Sequence, residues 1–206
     1  STSRVINKPT GTVDDDMMVM LISCASGFTA TTPTGWTPIA EHTTNPTCAT
    51  YYRIASSEPA NYTVATNAFN VVAIATFYSD TATTLNIGDS DSLFDNSLST
   101  SHVFPAVTAP TANSALLLIQ AAASSATITM DGAATAIVQT TTTSTRAHLA
   151  YQLIAGTGST GTRTNSSGAT SIGTRVVPVL ISEVSSVPAD PSGLTATAIS
   201  QTQIDL

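Results

Sequence analysis

Short apolar runs set in a background of threonine and serine decide what this chain can fold into. Met17 to Ser23, Cys48 to Ala55, Phe69 to Tyr78, Ala115 to Ala121, His148 to Ile154 and Arg175 to Val184 are separated by stretches rich in Gly, Pro, Asp and Ser. Thr and Ser together make up nearly a third of the 206 residues. β-Branched Thr is comfortable on a half-buried pleated surface and mediocre in a helix, so the pattern predicts strands throughout.

Shorter strands are expected at Arg4-Val5-Ile6, Tyr62 to Val64, Thr127 to Met130 and Ala136 to Thr140. Phe69 to Tyr78 is nearly continuously apolar and is compatible with a buried strand or one buried helix. Val71, Val72, Thr76, Phe77 and Tyr78 favour the strand. Ser79 to Ser101 is polar and reads as a long surface connection with a short strand at Leu85 to Ile87. Gly156 to Gly168 reads as a long hairpin or flexible loop. Pro178 lacks a backbone donor, which predicts an edge or bulged position for the last strand. Nine or ten strands of this kind predict an all-β fold: a two-sheet antiparallel β-sandwich, jelly-roll-like, over residues 1–187. A proline-containing extension, 188–206, follows.

Charged residues make up only 9% of the chain against 42% hydrophobic, well below the roughly 25% charge usual in soluble domains. The formal net charge is -7, and Lys8 with five scattered arginines forms no phosphate-tracking stripe, so nucleic acid is not an expected partner. No apolar segment reaches the eighteen or so residues of a membrane-crossing helix, so membrane insertion is not expected either. Ser1 is followed by polar residues and not by a basic stretch and an apolar run, so no targeting segment is read there.

No G-x-S-x-G elbow supports a serine hydrolase. His42 reads as a loop residue, His102 as a turn or strand-edge residue and His148 as a polar strand position. Glu41, Glu58 and Glu183 fall near turns or an edge and form no evident carboxylate pair for glycoside chemistry. The chain is therefore read as non-enzymatic and without a cofactor. The best metal candidate is Asp89-Ser90-Asp91 with Asp95, whose alternating oxygens could meet Ca²⁺ in a loop, although the full EF-hand spacing is lacking; Asp14-Asp15-Asp16 is a second acidic run, but three adjacent side chains do not converge easily. Pro33 and Gly35 punctuate a turn after which Trp36 is expected to fold back and cap one end of the core; Trp36 and Tyr62 either cap the sandwich in this way or form an aromatic platform for a carbohydrate. Asn61-Tyr62-Thr63 and Asn165-Ser166-Ser167 match the N-glycosylation pattern. Cys24 and Cys48 are either bridged, worth about 3 kcal/mol, or two buried thiols.

Pro188-Ala189-Asp190-Pro191-Ser192-Gly193-Leu194-Thr195-Ala196, followed by Gln203-Ile204-Asp205-Leu206, resembles the opening of a fibronectin type III domain. The tryptophan usual in that family does not follow, so the resemblance covers only an incomplete start and implies a longer biological chain. The preceding domain is similar to the β-sandwich of phage virion proteins and some secreted bacterial surface proteins. The similarity is carried by Asp16-Met17-Met18-Val19, Thr32-Pro33-Thr34-Gly35-Trp36, Tyr51-Tyr52-Arg53, Glu58-Pro59-Ala60-Asn61-Tyr62 and Ala115 to Leu118. Asp15-Asp16 stands where Gly-Asp is common in that family, and Arg53 where Lys is common.

The resemblance implies a capsid decoration or tail-associated protein of a virion. Its partners would be virion structural proteins, further copies of itself in a homo-oligomer, and a host-surface glycan. The alternative is a secreted carbohydrate-binding or cell-surface adhesion module.

Overall fold

Met17–Cys24 is apolar at nearly every position because both of its faces are covered. All eight residues are buried, with Met17, Val19 and Leu21 packed in one cluster and Met18, Met20, Ile22 and Cys24 in another. The computed structural model describes residues 2–24, 28, 30–66, 70–78, 85–124, 126–141, 145–182, 198–200 and 203–204. Among them every regular element is a strand.

In chain order the first six are β1 (Thr2–Asn7), β2 (Met17–Cys24), β3 (Thr37–His42), β4 (Thr47–Ile54), β5 (Asn61–Thr66) and β6 (Asn70–Phe77). The next five are β7 (Leu85–Phe104), β8 (Thr108–Ala109), β9 (Ser114–Ala122), β10 (Ile128–Thr129) and β11 (Thr135–Thr141). The last are β12 (Arg146–Ile154), β13 (Gly158–Ser159), β14 (Arg163–Ser182), β15 (Ala198–Ser200) and β16 (Gln203–Ile204).

Two antiparallel sheets form the sandwich. The first has the order β3-β4-β2-β6, and the second β10-β14-β9-β12-β11, with β7 added beside β14. Met17, Val19 and Leu21 from the first sheet meet Leu117, Ile119, Leu149, Val176 and Leu180 from the second, so the central core lies between them. Two outer layers complete the fold. The β1–β5 ribbon lays Ile6, Tyr62 and Val64 on the outer face of the first sheet. On the outer face of the second, Phe104, Val107 and Ala109 pack against Leu116, Leu118, Val177 and Val179. This is the expected all-β sandwich with more strands than the sequence pattern suggests.

Two expectations about loops are corrected. Ser79 to Ser101 is not a surface connection from Leu85 onward, because Leu85–Phe104 is a single strand of 20 residues. Gly156 to Gly168 holds the short β13 and then, from Arg163, the first part of β14, also 20 residues long. Both were hidden because they are polar: much of β7 is exposed or half-buried, so it carries no apolar alternation. The two strands pair with one another from Leu85↔Ser182 to Phe104↔Arg163.

That pairing is not uniform. A lower ladder joins 85–95 to 173–182 and an upper one joins 101–104 to 163–166, with only Ser99↔Ser171 paired between them. On this side Asn96, Ser97 and Leu98 of β7 and 167–170 of β14 have no partner in the opposite long strand, although Ser167 pairs with Ile128 of β10 on the other side, so the β7–β14 ribbon carries a double bulge and bends there. Pro178 lies in an inner strand, not at an edge. Nor is it bulged against β9: pairing to β9 runs through Val176 and resumes at Val179 in the same register, so the missing donor leaves only a gap of two unpaired residues. The expected junction at 187–188 and most of the fibronectin-like stretch lie outside the described residues; within it, β15 pairs with β16.

Candidate functional site

The proposed aromatic platform is part of the core. Gly35, at φ +80°, and the Trp36 N–H to Pro33 carbonyl bond of 3.0 Å form a turn that drives Trp36 inward. Trp36 is 5% exposed and Tyr62 8%, and their rings meet edge-on at 5.4 Å and 81°. The Arg53 guanidinium lies 5.9 Å from the indole centre and pairs with Glu58 at 2.7 Å. The Tyr62 hydroxyl donates to the second oxygen of Glu58 at 2.5 Å. Burial first, and then Glu58, push the Tyr62 phenol well above its ordinary range. Neither ring offers a face on which a sugar could stack. The residues chosen for adhesion instead seal the outer face of the first sheet.

The calcium candidate does not converge. Asp89, Asp91 and Asp95 lie along extended β7, where a rise of about 3.3 Å per residue keeps the first and last well apart. Their carboxylates cap nearby backbone: Asp89 accepts from Ser90 and Thr108, Asp91 from Ser92, and Asp95 from Ser97. No group of three His, Cys, Asp or Glu suited to a metal occurs among the described residues.

The bridge between Cys24 and Cys48 is also corrected. β2 and β4 are neighbours, but their register sets Ser23, not Cys24, opposite Cys48. One residue of offset reverses the face. Cys48 points into the central core and Cys24 into the outer core, and neither is in a disulfide. Desolvation pushes the Cys48 thiol up to about 12, a backbone hydrogen bond from Ala121 only partly opposing it.

The second sheet carries a polar cluster that sequence reasoning missed. Cross-strand register places Gln139, His148, Gln120 and Arg175 in one row across its outer face. Arg175 is fully buried and His102 is 1% exposed. Arg175 Nη1 lies 3.1 Å from His102 Nδ1, and Arg175 Nη2 lies 3.4 Å from Asp95 Oδ2. His102 Nε2 lies 3.1 Å from Ser171 Oγ and 3.4 Å from Ser167 Oγ. Asn165 joins the group by donating to Gln120 at 2.9 Å and accepting from the Asp131 N–H at 3.1 Å. Asn165 is thereby buried, which removes it as a glycosylation acceptor.

A serine beside a histidine invites a nucleophile reading, and the third partner decides against it. An arginine can only donate, so Nδ1 must accept, the ring proton sits on Nε2, and Nε2 donates to the serine. A general base needs the reverse, with Nε2 free to take the serine proton and a carboxylate at Nδ1. The only sequence signals for this cluster were isolated polar residues in β-rich segments, which do not reveal that strand register brings them together.

An open groove of about 790 Å³ lies at one end of the central core, lined by Phe77, Tyr78, Leu85, Ile137, Tyr151 and Leu153 among others. Its lining carries no charge and mixes apolar side chains with polar atoms, Asn113 and Thr76 among them. Tyr78, Leu153 and Ile137 are 77%, 72% and 39% exposed, so three large apolar side chains meet water in one place. They come from the end of β6, the end of β12 and edge strand β11. Comparison with known proteins gives no match to a family model, a curated protein or a solved structure.

Proposed function

We propose that this chain is a non-enzymatic structural protein of a virion, capsid decoration or tail-associated, that works by packing against neighbouring protein subunits. The observation that carries the reading is the convergence of Tyr78, Leu153 and Ile137 on one uncharged groove beside the edge strands of the two sheets. Apolar side chains held by a rigid sandwich lose little entropy on docking, and a groove without ions desolvates cheaply. Repetition on a symmetric particle adds avidity to a weak single contact.

The test is peptide mass spectrometry of particles purified from the source culture, with wild type and a Tyr78→Asp/Leu153→Asp variant. Stoichiometric recovery of the wild type in particles and loss of the variant support the proposal. Recovery only as a free secreted monomer or as a hydrolase appendage, or undiminished incorporation of the variant, overturns it. Tyr78 also gives the adhesion alternative a specific anchor, since its exposed ring could stack on a sugar. A glycan array probed with wild type and Tyr78→Ala separates that reading: binding that Tyr78→Ala abolishes supports it.

A further inference from the structure

We infer that His102 and Arg175 form an acid-released clip that holds the kink in the β7–β14 ribbon. The kink is where the two long strands lose their mutual pairing, with 96–98 on one strand and 167–170 on the other left without a partner across the ribbon, while Ser167 and Gly168 bond the β10 side instead. Side chains replace the missing ladder. His102, on the upper ladder, reaches Arg175, on the lower one, at 3.1 Å. The opposite ring nitrogen reaches Ser171, the single residue of β14 paired between the two ladders, and Ser167, which pairs with β10. Asp95, at the top of the lower ladder, takes the other arm of the arginine.

The clip breaks on protonation because of which atom must take the proton. Nε2 already carries one, so a second proton can enter only at Nδ1, the atom that accepts from Arg175. Protonated Nδ1 and the guanidinium are then two donors facing one another, and two positive charges share a buried site with one carboxylate. The charged groups facing His102 from the packed elements do not offset this. β7 contributes Asp95, β14 contributes Arg175, and the turn after β10 contributes Asp131, which is engaged by the Thr164 and Ala133 N–H groups. β12 contributes Arg146 and His148, β9 contributes no titratable group, and on β3 His42 lies against Ser92 and Phe94. Burial and then the Arg175 charge hold His102 below its ordinary 6.5, with Asp95 opposing. The clip is therefore closed at neutral pH and opens as pH falls below that range. The inference does not depend on the proposed function.

Amide hydrogen exchange of the full chain, corrected for the intrinsic effect of pH, tests it between pH 7.5 and 5. The opening constant at 99–103 and 165–171 is expected to rise on the order of tenfold, while 85–93 and 176–181 stay protected. His102→Asn, which puts a neutral acceptor near the Nδ1 position, is expected to abolish the rise. A rise of the same size in His102→Asn, or one spread evenly over both ladders, overturns the inference. If that variant does not fold, histidine NMR of the wild type decides. Titration of His102 coincident with loss of protection at the kink supports the clip, and a ring that keeps its neutral Nε2–H form as the kink opens overturns it.

Discussion

The two outer faces of the sandwich are buried in opposite ways. On the first sheet, Met18, Met20, Ile22, Trp36 and Val64 form a mostly apolar core, with polar pairs at its margins: Arg53–Glu58–Tyr62, Tyr51–Glu41 and Arg4–Asn70. On the second, Leu116, Leu118 and Val177 share their face with Arg175, His102, Gln120, Asn165 and His148. The dry face owes its stability to contact area and is indifferent to pH in the physiological range. The polar face gains specificity from directional bonds, and its stability depends on which groups carry protons.

Emptying the dry face should have the largest effect. Trp36→Ala removes a buried ring, its edge contact with Tyr62 and the surface over which Arg53 lies, and a loss of about 3–5 kcal/mol is expected in denaturant unfolding at pH 7.5. A loss below about 1 kcal/mol would mean that the β1–β5 cover can collapse onto the space.

Acid should then single out the polar face. His148 is fully buried, and desolvation with the Arg146 charge lowers it from 6.5 to about 4. The folded state therefore holds fewer protons than the unfolded one across that interval. The stability this contributes is complete above pH 6.5, declines as pH falls and is gone near pH 4, in total about 3 kcal/mol. Unfolding curves at pH 7.5, 5.5 and 4 measure it. His148→Leu should flatten the dependence over this window, and an unchanged slope would place the acid sensitivity elsewhere.

The rim between these extremes should show a smaller effect. Glu58→Gln keeps the side-chain shape and can still accept from Ser56 through its amide oxygen, but it puts an NH2 donor where Tyr62 donates, so the tyrosine hydroxyl must turn to accept, and it removes the charge facing Arg53. Glu58 is nearly enclosed while Arg53 is partly open to water, so about 1–2 kcal/mol is expected at neutral pH, measured by thermal unfolding.

The contrast also explains what could be read from the residues alone. Elements whose apolar side chains face a core announced themselves: β2, β4, β6, β9 and β12 all lie within a few residues of the runs that predicted them. β7 and the first part of β14 did not, because Thr, Ser, Asn and Asp in a strand look like a loop when the partner strand supplies the order. The site residues failed for a related reason. The turn at Pro33–Gly35 does announce a Trp36 that folds back onto the core, as it does, whereas the carbohydrate platform needed exposed rings that a glycine turn and a covering ribbon do not leave. Arg175, His102 and Gln120 are distant in sequence and become neighbours only through strand pairing. Tyr78, Leu153 and Ile137 were likewise invisible as a group, since each looks like an ordinary core residue until the sheet edges are known.

The smallest effect is expected from the cysteines, one on each side of the first sheet. A bridge closing a loop of this size would contribute about 3 kcal/mol, and reduction would remove it. With Cys24 in the dry outer core and Cys48 in the central core, no bridge exists to reduce, so the unfolding midpoint should be the same with and without dithiothreitol. Thiol labelling sharpens this. A thiol raised to about 12 is essentially never a thiolate at neutral pH, so Cys48 should react only at the rate at which the two sheets part. Cys24 should react at the rate at which the β1–β5 cover lifts. Faster labelling of Cys24 would establish that the dry cover opens independently of the sandwich, whereas equal rates would make the first sheet and its cover a single cooperative unit.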